Sequence, residues 1–133
     1  MKVVLDTNVF ISGIFFNGPP YRILQAWRAG RIELVVCLEI LTEYREVALR
    51  LGRKYQGVDI LPLVHLVAVR SQIVQADPLP QPVCEDAGDD VFLACALAAE
   101  TRVIVSGDRH LLKVSGFHGI DVLRPRAFVD AFL

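Results

Sequence analysis

Lys2-Val3-Val4-Leu5-Asp6-Thr7-Asn8 opens the chain and sets how the rest is read. A short β-branched apolar run that stops at polar residues predicts a buried strand ending in a loop, with Asp6 at its carboxyl end. Pro19 and Pro20 precede a helical pattern through Ile23, Leu24, Ala26 and Trp27, and Gly30 follows it, which are the usual start and stop residues. Glu33–Val36 reads as a second strand leading into a second helix near Leu38. The opening third of the chain is therefore strand, helix, strand, helix, the alternation of a parallel sheet with crossover helices. Further on, residues 91–99 are apolar on every side and predict a buried helix. Residues 101–105 predict another strand with Asp108 just beyond it, and Val122-Leu123 a last strand before a helix started by Pro125. The alternating prolines of residues 77–82 exclude helix and predict a stiff extended connector. Residues 58–69 leave almost no polar face yet are too short to span a bilayer. They predict deep burial or contact with another chain, with His65 a core or interface residue.

The 133 residues suit one compact domain, and 53% hydrophobic content excludes a disordered chain. A formal charge of −1 provides no whole-molecule field for a polyanion, which would need a local patch or a metal. Up to Lys54 there are eight basic residues against five acids, a bias that surface solvation explains as well as RNA contact does. No stretch forms a signal-peptide core or a spanning helix, so a soluble, cytoplasmic protein with no membrane partner is expected. Cys37, Cys84 and Cys95 are odd in number and contain no Cys-x-x-Cys pair, which argues against a disulfide framework and a cysteine zinc site. They are expected to be reduced and buried.

In a parallel sheet with right-handed crossovers, the carboxyl ends of strands and the amino ends of the following helices share one edge. That rule puts Asp6 and Asp108 on the same edge as Asp90, at a helix start, and Glu43, in the early turns of the second helix. Strands before Asp6 and Asp108, if neighbours, lie roughly 4.8 Å apart, close enough for the two side chains to share a ligand. On the second helix, Ile40, Leu41, Tyr44, Val47, Ala48 and Leu51 make one buried stripe with Glu43 on its border, whereas Glu39, Glu46 and Arg50 fall on the solvated side.

Gathered carboxylates repel by about 4 kcal/mol for a pair roughly 4 Å apart at an effective dielectric of about 20. A hard cation relieves this, and an all-oxygen donor set suits Mg²⁺ or Mn²⁺ rather than zinc. One or two such ions bind phosphate oxygens, activate water and stabilise a leaving oxygen, which makes a phosphodiester the natural substrate. Each acid alone also has a plainer reading. Asp6-Thr7-Asn8 and Ser106-Gly107-Asp108 are good turn or cap sequences, and Asp89 and Asp90 suit a helix dipole. Trp27 and Phe15-Phe16 read as packing rather than base-stacking platforms, and His110 and His118 lack a ligand motif.

With these residues in view, the chain resembles a PIN domain, in particular the small single-domain type that serves as the toxin of toxin–antitoxin systems. The resemblance runs through Val3-Val4-Leu5-Asp6-Thr7-Asn8-Val9, then Glu43 in Leu41-Thr42-Glu43-Tyr44-Arg45-Glu46-Val47, Asp90 in Asp90-Val91-Phe92-Leu93-Ala94, and Asp108 in Ser106-Gly107-Asp108-Arg109-His110-Leu111-Leu112. It implies a three-layer α/β/α sandwich with a central, mostly parallel five-stranded sheet, formed by residues 1–133 as one domain. It also implies Mg²⁺- or Mn²⁺-dependent endoribonuclease activity on RNA, homodimerisation and inhibition by a cognate antitoxin. Asp6, Asp90 and Asp108 are the implied principal ligands, with Glu43 a ligand or the group that positions the attacking water. Thr7, Asn8, Asp86, Asp89 and Ser106 are the auxiliary residues that orient ligands or water. Three positions depart from the family pattern: Cys37 where Ser often caps the second helix, Gly88 where another Asp is common, and His110 where an Asp is frequent. The rival expectations are a catalytically idle PIN-like module that binds RNA or protein, and a haloacid-dehalogenase-type phosphatase. The phosphatase would want Asp at the position of Asn8.

Overall fold

The computed structural model describes residues 1–55 and 60–133. Val3, Val4 and Leu5 are buried on both sides, as strands covered on two faces must be. They belong to β1 (Lys2–Leu5), which is joined in one sheet by β2 (Glu33–Val36), β3 (Gln72–Ile73), β4 (Val103–Val105) and β5 (Asp121–Leu123). All four pairings are parallel and the order is β3-β2-β1-β4-β5. The chain builds outward from β1 in one direction, then crosses back and builds in the other. Right-handed crossovers consequently put helices on both faces and leave a topological switch point between β1 and β4. Seven helices occupy these layers among the described residues: α1 (Thr7–Phe15), α2 (Pro19–Arg28), α3 (Leu38–Gly52), α4 (Leu61–Arg70), α5 (Asp90–Ala98), α6 (Arg109–Leu112) and α7 (Pro125–Phe132).

Three elements differ from the sequence expectation. The chain does not loop after β1 but enters α1 at Thr7, a helix hidden by the weak formers Thr7, Asn8, Ser12 and Gly13. Packing supplies what propensity lacks, since Val9, Phe10 and Ile11 are buried. A Cβ on Gly13 would lie 2.6 Å from the Leu24 side chain and 2.8 Å from the Pro20 carbonyl, so glycine is what lets α1 approach α2. The edge strand β3 is only two residues long and falls where no apolar alternation marks it.

Finally, the apolar segment ending in α4 is only half covered. Ile60, Val64 and Val67 are buried, but Leu61 is 43% and Val69 81% exposed, and His65 faces solvent rather than a core. Val58, the start of that expected stretch, lies outside the described residues. Trp27 is buried and the three cysteines are free and buried, as expected, whereas of the Phe15-Phe16 pair, expected to pack, Phe16 is 53% exposed. Among the described residues no helix is long and apolar enough to cross a membrane.

Candidate active site

The end of β1 is held on two sides. Leu5 pairs with Val105 of β4, and the Asp6 amide donates to the Val105 carbonyl at 2.9 Å. From the other side the buried Tyr44 hydroxyl of α3 donates to the Leu5 carbonyl, with the Tyr44 ring stacked on Phe10 of α1 at 4.3 Å. The backbone that presents Asp6 is thereby fixed by a strand and two helices.

Asp6 occupies the N-cap position of α1, yet its side chain makes no cap hydrogen bond. Its Oδ2 instead accepts from the Ser106 hydroxyl at 2.7 Å, and the Ser106 oxygen accepts from the Asp108 amide at 2.9 Å. Ser106 is fully buried, so it ties the two strand-end acids together from beneath. Asp108 accepts from the His110 amide through Oδ1 at 2.8 Å, and so caps α6 while belonging to this edge. Asp6 itself is 5% exposed. Burial raises its pKa, the Ser106 hydroxyl works against that rise, and the charge of Asp108 adds to it.

Asp89 joins the group. Burial, then the charges of Asp108, Asp86 and Asp6, push its pKa up to about 6, with His110 acting in the opposite direction. Its Oδ2 is buried without a hydrogen-bond partner. Asp86 caps the short turn before α5 by accepting from the Gly88 amide at 2.9 Å, and contributes charge to Asp89.

Glu43 reaches the same edge from α3. Partial burial raises its pKa, the Thr7 hydroxyl lowers it and the charge of Asp6 raises it again. Thr7 is buried and its Oγ1 has no partner in hydrogen-bonding geometry. Asn8 is exposed on the first turn of α1.

Asp90, expected from the sequence as a principal ligand, turns its carboxylate toward the connector before α5. Its carboxylate accepts from the Cys84 amide at 2.8 Å and the Val83 amide at 3.1 Å. Partial burial opposes the charge, but those two amides and the Cys84 thiol bring its pKa below the usual range. The reason is local: at the start of α5, successive residues point in different directions, and the connector delivers two free N–H groups to Asp90. Asp89 was assigned only an auxiliary place; the charge field of Asp6 and Asp108 falls on it instead. A signal in the sequence, the Asp-Asp pair itself, offered both choices. Next to Asp90, a groove of about 350 Å³ runs between Pro78, Leu79, Pro82 and α5, but its lining is mainly apolar and it does not contain Asp6 or Asp108.

Among the described residues no three His, Cys, Asp or Glu side chains stand close enough to hold a metal ion as they are. Their mutual repulsion accounts for that spacing. The residues nevertheless fit a hard cation in chemistry: donors are oxygens only, burial and neighbouring carboxylate charge raise the proton affinity of Asp6 and Asp89, and Asp89 Oδ2 is buried with nothing to satisfy it.

Comparisons with known proteins agree with this geometry. Residues 2–110 match the family model of the PIN domain. An uncharacterized protein of Methanocaldococcus jannaschii is 32% identical over 145 aligned positions, which cover 99% of this chain and 92% of that protein. A sheet with its acids at the β1–β4 switch point and a family match across most of the chain lead to one assignment: this chain belongs to the PIN-domain family, a family of nuclease-type hydrolases.

Proposed function

We propose that this protein is a Mg²⁺- or Mn²⁺-dependent endoribonuclease that hydrolyses RNA phosphodiesters, with residues 1–133 acting as one domain. The observation that carries this reading is the Ser106 bridge, which links Asp6 to the backbone of Asp108 at a switch point where Asp89 adds a third mutually repelling carboxylate. Asp6, Asp89 and Asp108 are the residues that would hold the ion. When bound, the ion would neutralise charge on the phosphodiester and act as a Lewis acid on it. Glu43 then serves as a further ligand or positions the attacking water, with Thr7 an auxiliary beside it, and Ser106 keeps the Asp6 carboxylate in place. Asp90 has a different part: it anchors the connector to the start of α5.

Cleavage of a single-stranded RNA with Mn²⁺ present, compared between wild type and Asp6→Asn, tests the reading; equal activity in both would end it. A second reading, an idle PIN module that only binds RNA or protein, is favoured by the withdrawal of Asp90 onto backbone amides. Calorimetric titration with Mn²⁺ separates the two, because an idle binder takes up no ion that depends on Asp6. A cytoplasmic, homodimeric toxin restrained by an antitoxin is the setting the resemblance suggests. Growth arrest on overproduction and the sedimentation mass test its two parts.

A further inference from the structure

We propose that His110 and Lys113 form a subsite for a backbone phosphate of the RNA beside the scissile bond, and that Glu85 fills this subsite in the free protein as a removable stand-in for that phosphate. The inference rests on the ribonuclease reading above and adds where the strand is gripped.

Both ion pairs found among the described residues end on Glu85: His110 Nδ1 lies 3.2 Å from its Oε2 and Lys113 Nζ 3.4 Å from its Oε1. His110 and Lys113 are three apart at α6 and its C-cap, which sets them on one face. The His110 amide donates to Asp108 Oδ1 at 2.8 Å, so this face borders the carboxylate edge. The grip on Glu85 is poor. His110 Nδ1 is buried and makes no hydrogen bond in proper geometry despite the short approach, while the Glu85 side chain is 67% exposed and that of Lys113 60%. An exposed pair of this kind is weak enough to be exchanged. A molecule with a net charge of −1 and an acidic edge needs a local cationic foothold for a polyanion. A phosphate offers tetrahedrally placed oxygens, one of which can meet the ring N–H in line while another meets the ammonium.

The test measures affinity for a fluorescent single-stranded RNA in EDTA, where binding is read without cleavage. Glu85→Gln is expected to tighten binding by about threefold to tenfold. Glu33→Gln, which removes the same charge at the amino end of β2, is expected to change it by less than about twofold. Lys113→Ala should weaken binding more in the Glu85→Gln background than in the wild type, because the two residues compete for one contact. Equal shifts for Glu85→Gln and Glu33→Gln, a gain that survives Lys113→Ala, or no RNA binding by any variant would overturn the subsite. Asp6-dependent cleavage is scored separately in Mn²⁺, so the subsite can fail while the nuclease reading stands, and the reverse.

Discussion

Two stretches of the same sheet edge treat their acids in opposite ways. Asp6, at the β1–β4 junction, and Asp89, which feels its charge from the turn before α5, have raised proton affinity, and Asp89 Oδ2 has no donor to satisfy it. Asp90, one position along the chain from Asp89, instead has its pKa lowered and its carboxylate satisfied by two amides of the connector. The first arrangement stores unfavourable charge that a ligand would relieve, and the second uses charge to stabilise a loop. On the proposed function, Asp89 would serve binding and Asp90 folding, and the fate of the carboxylate oxygens distinguishes them.

The contrast is most severely tested by activity. Asp6→Asn and Asp89→Asn should each lower RNA cleavage by about a hundredfold or more, measured at saturating Mn²⁺. Full activity in Asp89→Asn would reassign that side chain. Next in size is ion-linked stability. Mn²⁺ at about a hundredfold over its dissociation constant should raise the unfolding free energy by about 2.7 kcal/mol in the wild type and in Asp90→Asn, and much less in Asp89→Asn, as read from urea melts. If Asp90→Asn also loses the ion effect, the division between the two aspartates collapses.

On the loop side, Asp90→Ala should destabilise the fold by about 1–3 kcal/mol even without metal, because the Val83 and Cys84 amides lose their acceptor. Asp6→Asn should cost little stability, since it removes a repelling charge while leaving an oxygen for Ser106. The smallest effect is the pH dependence. A carboxyl whose folded pKa is raised binds more protons in the folded state, so its contribution falls as pH climbs from the ordinary 3.8 to about 6 for Asp89. Asp90 has the opposite sign: its contribution is present above the ordinary value and is lost as pH falls through its lowered one. Thermal melts across this range in metal-free buffer should show Asp89→Asn flattening the upper part of the profile and Asp90→Asn the lower.

Much of the architecture was legible because the strands are buried on both faces and so read as uninterrupted apolar runs. Val3, Val4 and Leu5 show this clearly, as do Leu34, Val35 and Val36. The edge rule then brought Asp6, Asp108 and Glu43 toward one another from distant positions. What escaped were features decided by tertiary contact. The α1 helix depends on burial of Val9, Phe10 and Ile11 and on the close approach at Gly13, which local propensity does not encode. The choice between Asp89 and Asp90 depends on where the connector places two backbone N–H groups, and a spacing pattern carries no information about that. The apolar look of α4 predicted burial that Val64 and Val67 achieve, while Leu63 and Leu66 are partly buried against the core and Leu61 and Val69 are exposed.

The Ser106 to Asp6 contact joins residues 100 positions apart in the chain. A growing chain consequently cannot make this contact until β4 has been synthesised and has docked beside β1, so the two acids are brought together only by long-range folding.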